Sequence, residues 1–539
     1  MSSRSWARLK RLCAPAALLV ALAAAAPAEA APGFVERSST DLVLDGKRFG
    51  FVGANNYRLT SDSDGGYTCG TSISDAQVGP LLDQMRNAGA TVVRTWFFQS
   101  YYQSTGWANF DRVLNAAAAR GMKVIPVLVN NYADCEPSAG AKKDEGFYDY
   151  GFRQAGWGYS ASFKSYASTV AAHYANSKTI AFWQLVNEAE TSYNDQQSCN
   201  TTLMDDGTGT MRTRSSVILR RFTDEMVAAV KAADPNHLVS LGTIGSGQCG
   251  ASGGEYQYVH AGAVDMCEYH DYDHANQSIP GDQWNGLQLR IDQCDQLGKP
   301  MFEGEVGIVA DVDVNGGSSG GSTGGAITST TLQRRAGFFD AKLSAQIPKG
   351  VDGFMVWDEI LESSSSTYND TNGRFGIGPS DPSNEVLARR ADQIRGATVR
   401  SSFEDGTLGG WELAWGPGLS LSNSTTAAFE GGRSLRFSLS GANYPAARVR
   451  TTTSAGPGTT IAYHVYKPSG APSSVTAKPY VSNNGWANTF GSDVALQTGW
   501  NTVFFTVPAG TTTPLQAIGL QINNGSGWTG SIYVDNIAW

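Results

Sequence analysis

Between about residue 40 and residue 397, short apolar runs recur eight times, and most are followed by an amphipathic helical stretch. The runs are Phe49–Tyr57, Thr91–Phe98, Lys123–Asn130, Ile180–Glu188, Leu238–Gly245, Val264–Tyr272, Pro300–Ile308 and Asp352–Ile360. Some, such as VIPVLV over 124–129, are apolar throughout, as strands are when both faces of a parallel sheet are covered. The helical stretches carry apolar residues at three- and four-residue spacing. They are Val78–Ala88, Phe110–Ala119, Phe163–Tyr174, Ile218–Ala233, Leu287–Leu297, Leu332–Ala345 and Val386–Ile394, with only a short helix expected near 255–262. Eight such units in about 350 residues predict an α/β fold, a (β/α)8 TIM barrel with insertions. An open doubly wound sheet is the alternative, and no GxGxxG follows an early strand to favour it.

Past Ser401 the helical pattern stops, and Ser, Thr, Gly and aromatic residues dominate. Short strand-like runs, among them Ser434–Leu439, Arg448–Thr452, Ile461–Tyr466, Thr502–Val507, Ala517–Ile522 and Ser531–Trp539, predict an all-β jelly-roll sandwich over 401–539. The barrel is expected over 31–397. The linker, within Arg395–Ser402, is short enough for the second domain to sit close against the first.

Residues 1–30 read as a secretory signal peptide: Arg4, Arg8, Lys10 and Arg11, an apolar run from Ala14 to Ala26, then Ala28-Glu29-Ala30. The run is too short to span a membrane, for which about 20 residues are needed. A secreted, extracellular protein with no membrane partner is therefore expected. Removing these residues takes away four positive charges and one negative, so the net charge moves from −9 to −12. That surface does not suit nucleic acid. Of seven cysteines, six follow Cys13 (Cys69, Cys135, Cys199, Cys249, Cys267, Cys294), an even number that predicts up to three disulfides without fixing their pairing.

Polar and aromatic residues collect at the C-terminal ends of the strand runs, the face on which barrel enzymes build their sites. Arg94 and Trp96 come late in the second run, Asn130 and Asn131 end the third, and Asn187-Glu188 end the fourth. His270 and Tyr272 close the sixth, Glu305 comes late in the seventh and Trp357 late in the eighth. Glu188 and Glu305 stand three strands apart in a ring of eight, so both reach over the mouth. Two such carboxylates suit glycoside hydrolysis, one as proton donor and the other as nucleophile or base. Arg94 and Tyr272 are expected to keep Glu305 ionised, and the apolar sequence neighbours of Glu188 to raise its pKa. Glu303 competes with Glu305, since strand alternation puts both on one face. Glu305 is preferred because it lies nearer the strand's C-terminal end. His270, His274, Asp271 and Asp273 lack the ligand spacing of a zinc site, so no metal is expected in the catalytic site.

The segments FVGANNY (51–57), VVRTWFF (92–98), WQLVNEAE (183–190), YHDY (269–272), GEVGI (304–308) and MVWDE (355–359) resemble glycoside hydrolase family 5 in order and spacing. FVGANNY and VIPVLVNNY (124–132) are most similar to its endo-β-1,4-mannanases. The resemblance implies a retaining double displacement with Glu188 as acid/base and Glu305 as nucleophile. It implies that Asn187 contacts the sugar 2-hydroxyl, that Arg94, His270 and Tyr272 support the nucleophile, and that Trp357 forms a platform under the sugar. Val306 stands where many members carry an aromatic, and CEYHDYDH (267–274) is unlike the commonest mannanases, which bears on the substrate more than on the chemistry.

The reading is a secreted, monomeric enzyme that cleaves internal β-1,4-mannosidic bonds of mannan-type polysaccharides. A retaining β-glucanase or another β-glycosidase on plant polysaccharide is the alternative. A non-catalytic carbohydrate-binding protein is a third, set against the presence of both carboxylates, Asn187, Arg94 and Tyr272. In the C-terminal region Trp411, Trp415, Tyr444, Tyr480, Trp486 and Trp528 suit sugar stacking, with about half expected in the sandwich core. FEDG (403–406) and YVDN (533–536) resemble carbohydrate-binding jelly rolls, some of which hold a structural calcium, here at Glu404 and Asp535.

Overall fold

The structure is a computed structural model that describes residues 32–61, 73–132, 135, 142–156, 159–193, 198–273, 279–316, 324–361, 374–450 and 455–539. The signal-peptide segment, Cys69, His274 and most of the Gly/Ser tract at 316–325 lie outside the described residues.

Eight parallel strands form the first domain: β1 (Phe51–Asn55), β2 (Val92–Trp96), β3 (Lys123–Val127), β4 (Phe182–Gln184), β5 (Leu238–Ser240), β6 (Cys267–Asp271), β7 (Met301–Val306) and β8 (Val351–Val356). Seven lie inside the apolar runs, and β8 starts one residue before the eighth. Their order is β5-β4-β3-β2-β1-β8-β7-β6. The seam between β5 and β6 is crossed by the Asp265 N–H to the Val239 carbonyl (3.0 Å) and the His270 N–H to the Ile244 carbonyl (2.8 Å), so the barrel is nearly closed. Around it run α1 (Asp75–Asn87), α2 (Ala108–Ala118), α3 (Phe163–Tyr174), α4 (Arg214–Ala233), α5 (Gly254–His260), α6 (Leu287–Leu297), α7 (Ser329–Gln346) and α8 (Ser383–Ile394). Their apolar faces meet the outer strand residues in one core. Helix α3 starts where the Ser162 side chain accepts from the Ser165 N–H, and α4 where Thr213 caps Ser216.

The barrel interior changes character along its axis. At the N-terminal end Phe51, Phe182, Phe302 and Met355 pack together, and a hairpin of Val35–Ser38 and Asp41–Leu44 adds Val35 and Leu42 to the plug. One layer up, the inward positions become Asn55, Arg94, Gln184 and Glu268, all fully or almost fully buried. Buried polar groups of this kind need partners, and here they find one another.

The connection 189–214 carries two short antiparallel pairs, Ser192–Tyr193 with Ser198–Cys199 and Leu203–Asp205 with Met211–Thr213. A disulfide, Cys199–Cys249, ties it to the loop after β5; Cys267–Cys294 joins β6 to α6, and Cys135 is also disulfide-bonded.

From Val399 the chain forms two antiparallel sheets. One is ordered Leu419–Ser424, Ser434–Leu439, Gly530–Ala538, Thr460–Lys467, Gly499–Thr506. The other is ordered Trp411–Trp415, Ala446–Arg450, Ala517–Asn523, Thr476–Ser482, Asn488–Phe490. Their inner faces make a separate core. Trp411 and Tyr480 are buried, whereas Tyr444 and Trp486 are exposed at 58% and 44%. The sandwich sits directly on the barrel: His464 Nε2 lies 2.8 Å from Asp392 Oδ2 of α8, with Phe429 stacked on the imidazole at 3.8 Å. Arg395 also bonds Asp392 and lies over the Phe504 ring. Glu404, expected with Asp535 as a calcium ligand, accepts from the N–H groups of Gly432 and Arg433, and Asp535 from those of Phe429, Glu430 and Asn536.

Candidate active site

Arg94 organises the C-terminal mouth of the barrel. Its side chain is fully buried, and its guanidinium donates to four side chains. Nε reaches Gln184 Oε1 (2.8 Å), Nη1 reaches Asn55 Oδ1 and Glu305 Oε1 (both 2.8 Å), and Nη2 reaches Asn187 Oδ1 (2.7 Å). The fixed fork of the guanidinium therefore orients residues from β1, β4 and β7 at once. The other oxygen of Glu305 accepts from the Tyr272 hydroxyl at 2.6 Å. Both contacts match the sequence expectation for Glu305.

Glu188 follows β4 in a left-handed backbone conformation, φ +60°, which few non-glycine residues adopt. The turn brings its carboxylate to His270, whose Nδ1 lies 2.8 Å from Oε1. Tyr132 also hydrogen-bonds Glu188. The oxygen and nitrogen atoms that Glu188, His270 and Glu305 turn toward one another lie within 4.8 Å. His270 was expected to support the nucleophile. Its Nδ1 stands 3.7 Å from Glu305 Oε2, and its charge opposes the rise of the Glu305 pKa, while its hydrogen bond goes to Glu188.

The proton affinities also differ from the expectation. Burial pushes Glu188 up, but the hydrogen bond and charge of His270, with Tyr132 and Arg94, outweigh it, and its pKa is lowered. Its apolar sequence neighbours Leu185, Val186 and Ala189 belong to the main core. Burial raises Glu305, and the charge of Glu188 adds to this; His270, Arg94 and Tyr272 oppose it without cancelling it. Burial alone would lower His270, but the charge of Glu305 and the bonds to Glu188 and Glu268 raise its pKa to about 9.

Glu303 is not on the face of Glu305. In the β6–β7 ladder Tyr269 pairs with Glu303 and His270 with Glu305, so Gly304 is an extra residue, a β-bulge. The bulge leaves Glu303 pointing outward among Asp271, Lys342 and Asp273 and turns Glu305 inward. Burial and the charge of Asp271 push Glu303 well above the usual carboxylate range.

Trp357 stacks on Tyr57 (5.9 Å between centroids) and tilts against Trp96 (6.0 Å), which stacks on Phe98 (5.3 Å). Trp357 is the half-exposed member of this group and presents a flat apolar surface beside the carboxylates. Asn187 Nδ2 donates to Asn130 Oδ1 at 3.1 Å. Asn131, expected at the site, is fully buried, and its Oδ1 accepts from the Tyr148 hydroxyl at 2.8 Å, which turns it away. Asn130 takes the place beside Asn187. Glu190 edges the cleft, paired with Lys142 at 2.7 Å. Asn55, Tyr132, Gln184 and Glu268 were not foreseen. Glu268 was findable, because it lies two residues before His270 and so shares its face.

Residues 59–320 match the family model described as Cellulase (glycosyl hydrolase family 5). The chain is 26% identical over 310 residues to mannan endo-1,4-beta-mannosidase F of Aspergillus fumigatus, covering 48% of this chain and 65% of that protein. It is 27% identical over 285 residues to a probable mannan endo-1,4-beta-mannosidase C of Aspergillus terreus, covering 44% and 64%. The chain thus spans just under two thirds of the length of these relatives. Among solved structures, it is similar to the endo-1,4-beta-mannanase of Rhizomucor miehei at 20% identity and a TM-score of 0.47, covering 67% of this chain and 99% of that one.

Proposed function

We propose that the chain, whose residues 59–320 match the model described as Cellulase (glycosyl hydrolase family 5), is a secreted retaining hydrolase of internal β-1,4-mannosidic bonds. The observation that carries this is the Glu188–Glu305 pair, whose facing oxygens lie within 4.8 Å. Retaining glycosidases hold their carboxyl groups about 5–5.5 Å apart, and inverting ones farther, to admit a water. Glu305, held by Arg94 and Tyr272, attacks the anomeric carbon. Glu188 protonates the leaving oxygen and then, as carboxylate, takes a proton from the water that releases the product. Arg94 and Asn187 fix the two carboxylates relative to each other before substrate arrives, which lowers the cost of orientation. Trp357 supplies the apolar face on which a sugar ring stacks.

Mannan as substrate is supported by the mannanase names of the relatives, and a β-glucan is the competitor in the family's own description. The exposed Tyr444 and Trp486 support a carbohydrate-binding role for the sandwich. The test is release of oligosaccharide from a panel of mannans, glucans and xylans by the full chain and by Glu305→Ala. Activity on mannan that is lost in the variant is the expected result. No product from any mannan overturns the substrate, and an active variant overturns the nucleophile. The anomeric configuration of the first product, read by NMR, decides between retention and inversion.

A further inference from the structure

The bond to Glu188 uses only one nitrogen of His270. The other, Nε2, lies 3.2 Å from Oε1 of Glu268. Glu268 precedes His270 by two residues on β6, so it shares the inner face one layer deeper. It is 1% exposed. Its Oε1 also accepts from Gln184 Nε2, while its Oε2 has no hydrogen-bond partner among the described residues. The neighbouring strand β7 makes room for it: a methyl group at Gly304 would overlap Glu268 Oε1 and come 2.8 Å from His270 Nε2. The imidazole is thus held between two carboxylates, one at the cleft and one in the barrel interior.

This arrangement constrains the ring's protons. A neutral imidazole has one N–H and one lone pair, so it can donate to only one of the two carboxylates. Glu268 Oε1 already accepts from the Gln184 amide, so it meets Nε2 as an acceptor, and Nε2 keeps its hydrogen. Nδ1, facing Glu188, is then the atom whose proton comes and goes. We propose that Glu268 is a positioning residue for the acid/base step, fixing the Nε2–H form of His270 so that Nδ1 supplies its proton to Glu188.

The proposal rests on the assignment of Glu188 as acid/base. In the transfer the Nδ1–H bond of the imidazolium breaks and an O–H bond forms on Glu188. The ring's positive charge and the carboxylate's negative charge vanish together, and no other reagent is needed. When water later gives its proton to Glu188, the same path returns it to Nδ1. The groups facing His270 are Glu188 beyond β4, Glu268 on its own strand and Glu305 on β7. Tyr132 touches Glu188, while Arg94 on β2 and Tyr272 touch Glu305. Of the three carboxylates, Glu268 alone sits on the Nε2 side.

The test uses the full chain labelled with ¹⁵N-histidine, whose six histidines keep the spectrum simple, with His270 assigned by its loss in His270→Asn. In the unsubstituted protein the neutral form of His270 is expected to be the Nε2–H tautomer. In Glu268→Gln the His270 midpoint is expected to fall, by about one pH unit or more, because the hydrogen bond from Nε2 to the carboxylate, which raises it, is weakened. The alkaline limb of kcat moves down with it, on whichever β-glycan the protein cleaves. KM is expected to stay unchanged, and the first step on an aryl glycoside with a good leaving group, which needs no proton, is expected to be spared. An Nδ1–H tautomer in the unsubstituted protein overturns the proposal, whatever its substrate and whether or not the variant folds. So does a Glu268→Gln protein whose His270 titration and pH profile are unmoved. Failure on mannan with a normal His270 response counts against the substrate alone.

Discussion

Replacing Tyr272 by phenylalanine deletes one hydroxyl from beside Glu305 while the ring keeps its packing. That ring lies edge-on to Phe375, 5.3 Å between centroids, and covers Gly307, where any Cβ would overlap it. The lost contact is a 2.6 Å bond to a buried carboxylate oxygen. Hydrogen bonds to charged groups contribute about 1.5–3 kcal/mol. Each pKa unit corresponds to about 1.36 kcal/mol, so the nucleophile's pKa should rise by about one to two units. The sign follows from Tyr272 holding Glu305 down: without it the attacking carboxylate is protonated over a wider acidic range. The acid limb of kcat/KM, which reports groups of the free enzyme, should therefore move to higher pH by about one to two units. On the alkaline side of that limb the variant should lose much less. The assay is initial rate against pH on a soluble β-glycan, with thermal melting to confirm the fold. An acid limb that stays in place would refute the reasoning, because it would mean the hydroxyl does not bond the ionised nucleophile.

Three further expectations come from other parts of the molecule. Glu303→Gln should leave turnover unchanged. Because burial raises Glu303 above its unfolded pKa, its contribution to stability is present at low pH and lost as pH rises through the folded value, so the variant's melting temperature should fall less steeply on the alkaline side. Asp392→Asn breaks the buried pair with His464, a loss of about 3–5 kcal/mol for such pairs. Burial raises Asp392, but His464 and Arg395 more than offset this, so the contribution should be present above the ordinary carboxylate range and disappear as pH falls through the lowered value, by calorimetry of the full chain. Replacing Cys199 and Cys249 by serine opens a closed loop of sequence separation 50. Chain entropy sets the cost at about 4 kcal/mol, read as a shift in the urea midpoint.

The barrel was legible because its strands are covered on both faces, so that each reads as an uninterrupted apolar run such as Val124–Val129. The helices were legible from their spacing, with ends differing by a few residues. The small pairs within 192–213 were not, since tertiary contacts and the Cys199–Cys249 bridge hold them in place of any local pattern. At the site, Arg94, Glu188, Glu305, Tyr272 and Trp357 came from their positions at strand ends. Counting by twos failed on β7, because a bulge changes the count and Gly304 does not announce one. It also gave no reason to prefer Asn131 over Asn130, where the loop after β3 turns. The pKa order of the two carboxylates depended on His270, which is distant from Glu188 in sequence and adjacent in space.

The extra residue at Gly304 divides β7 into two lengths with separate phases. The lower length, with Phe302 facing in, answers to the closed end of the barrel. The upper length carries Glu305 to the mouth. Tyr269 and His270 are successive residues of β6 and pair with Glu303 and Glu305, so the extra residue is taken up inside the bulge and leaves Glu305 level with His270. The change of phase thus lets one strand place two carboxylates on opposite sides of the sheet, one toward Lys342 and one toward Arg94.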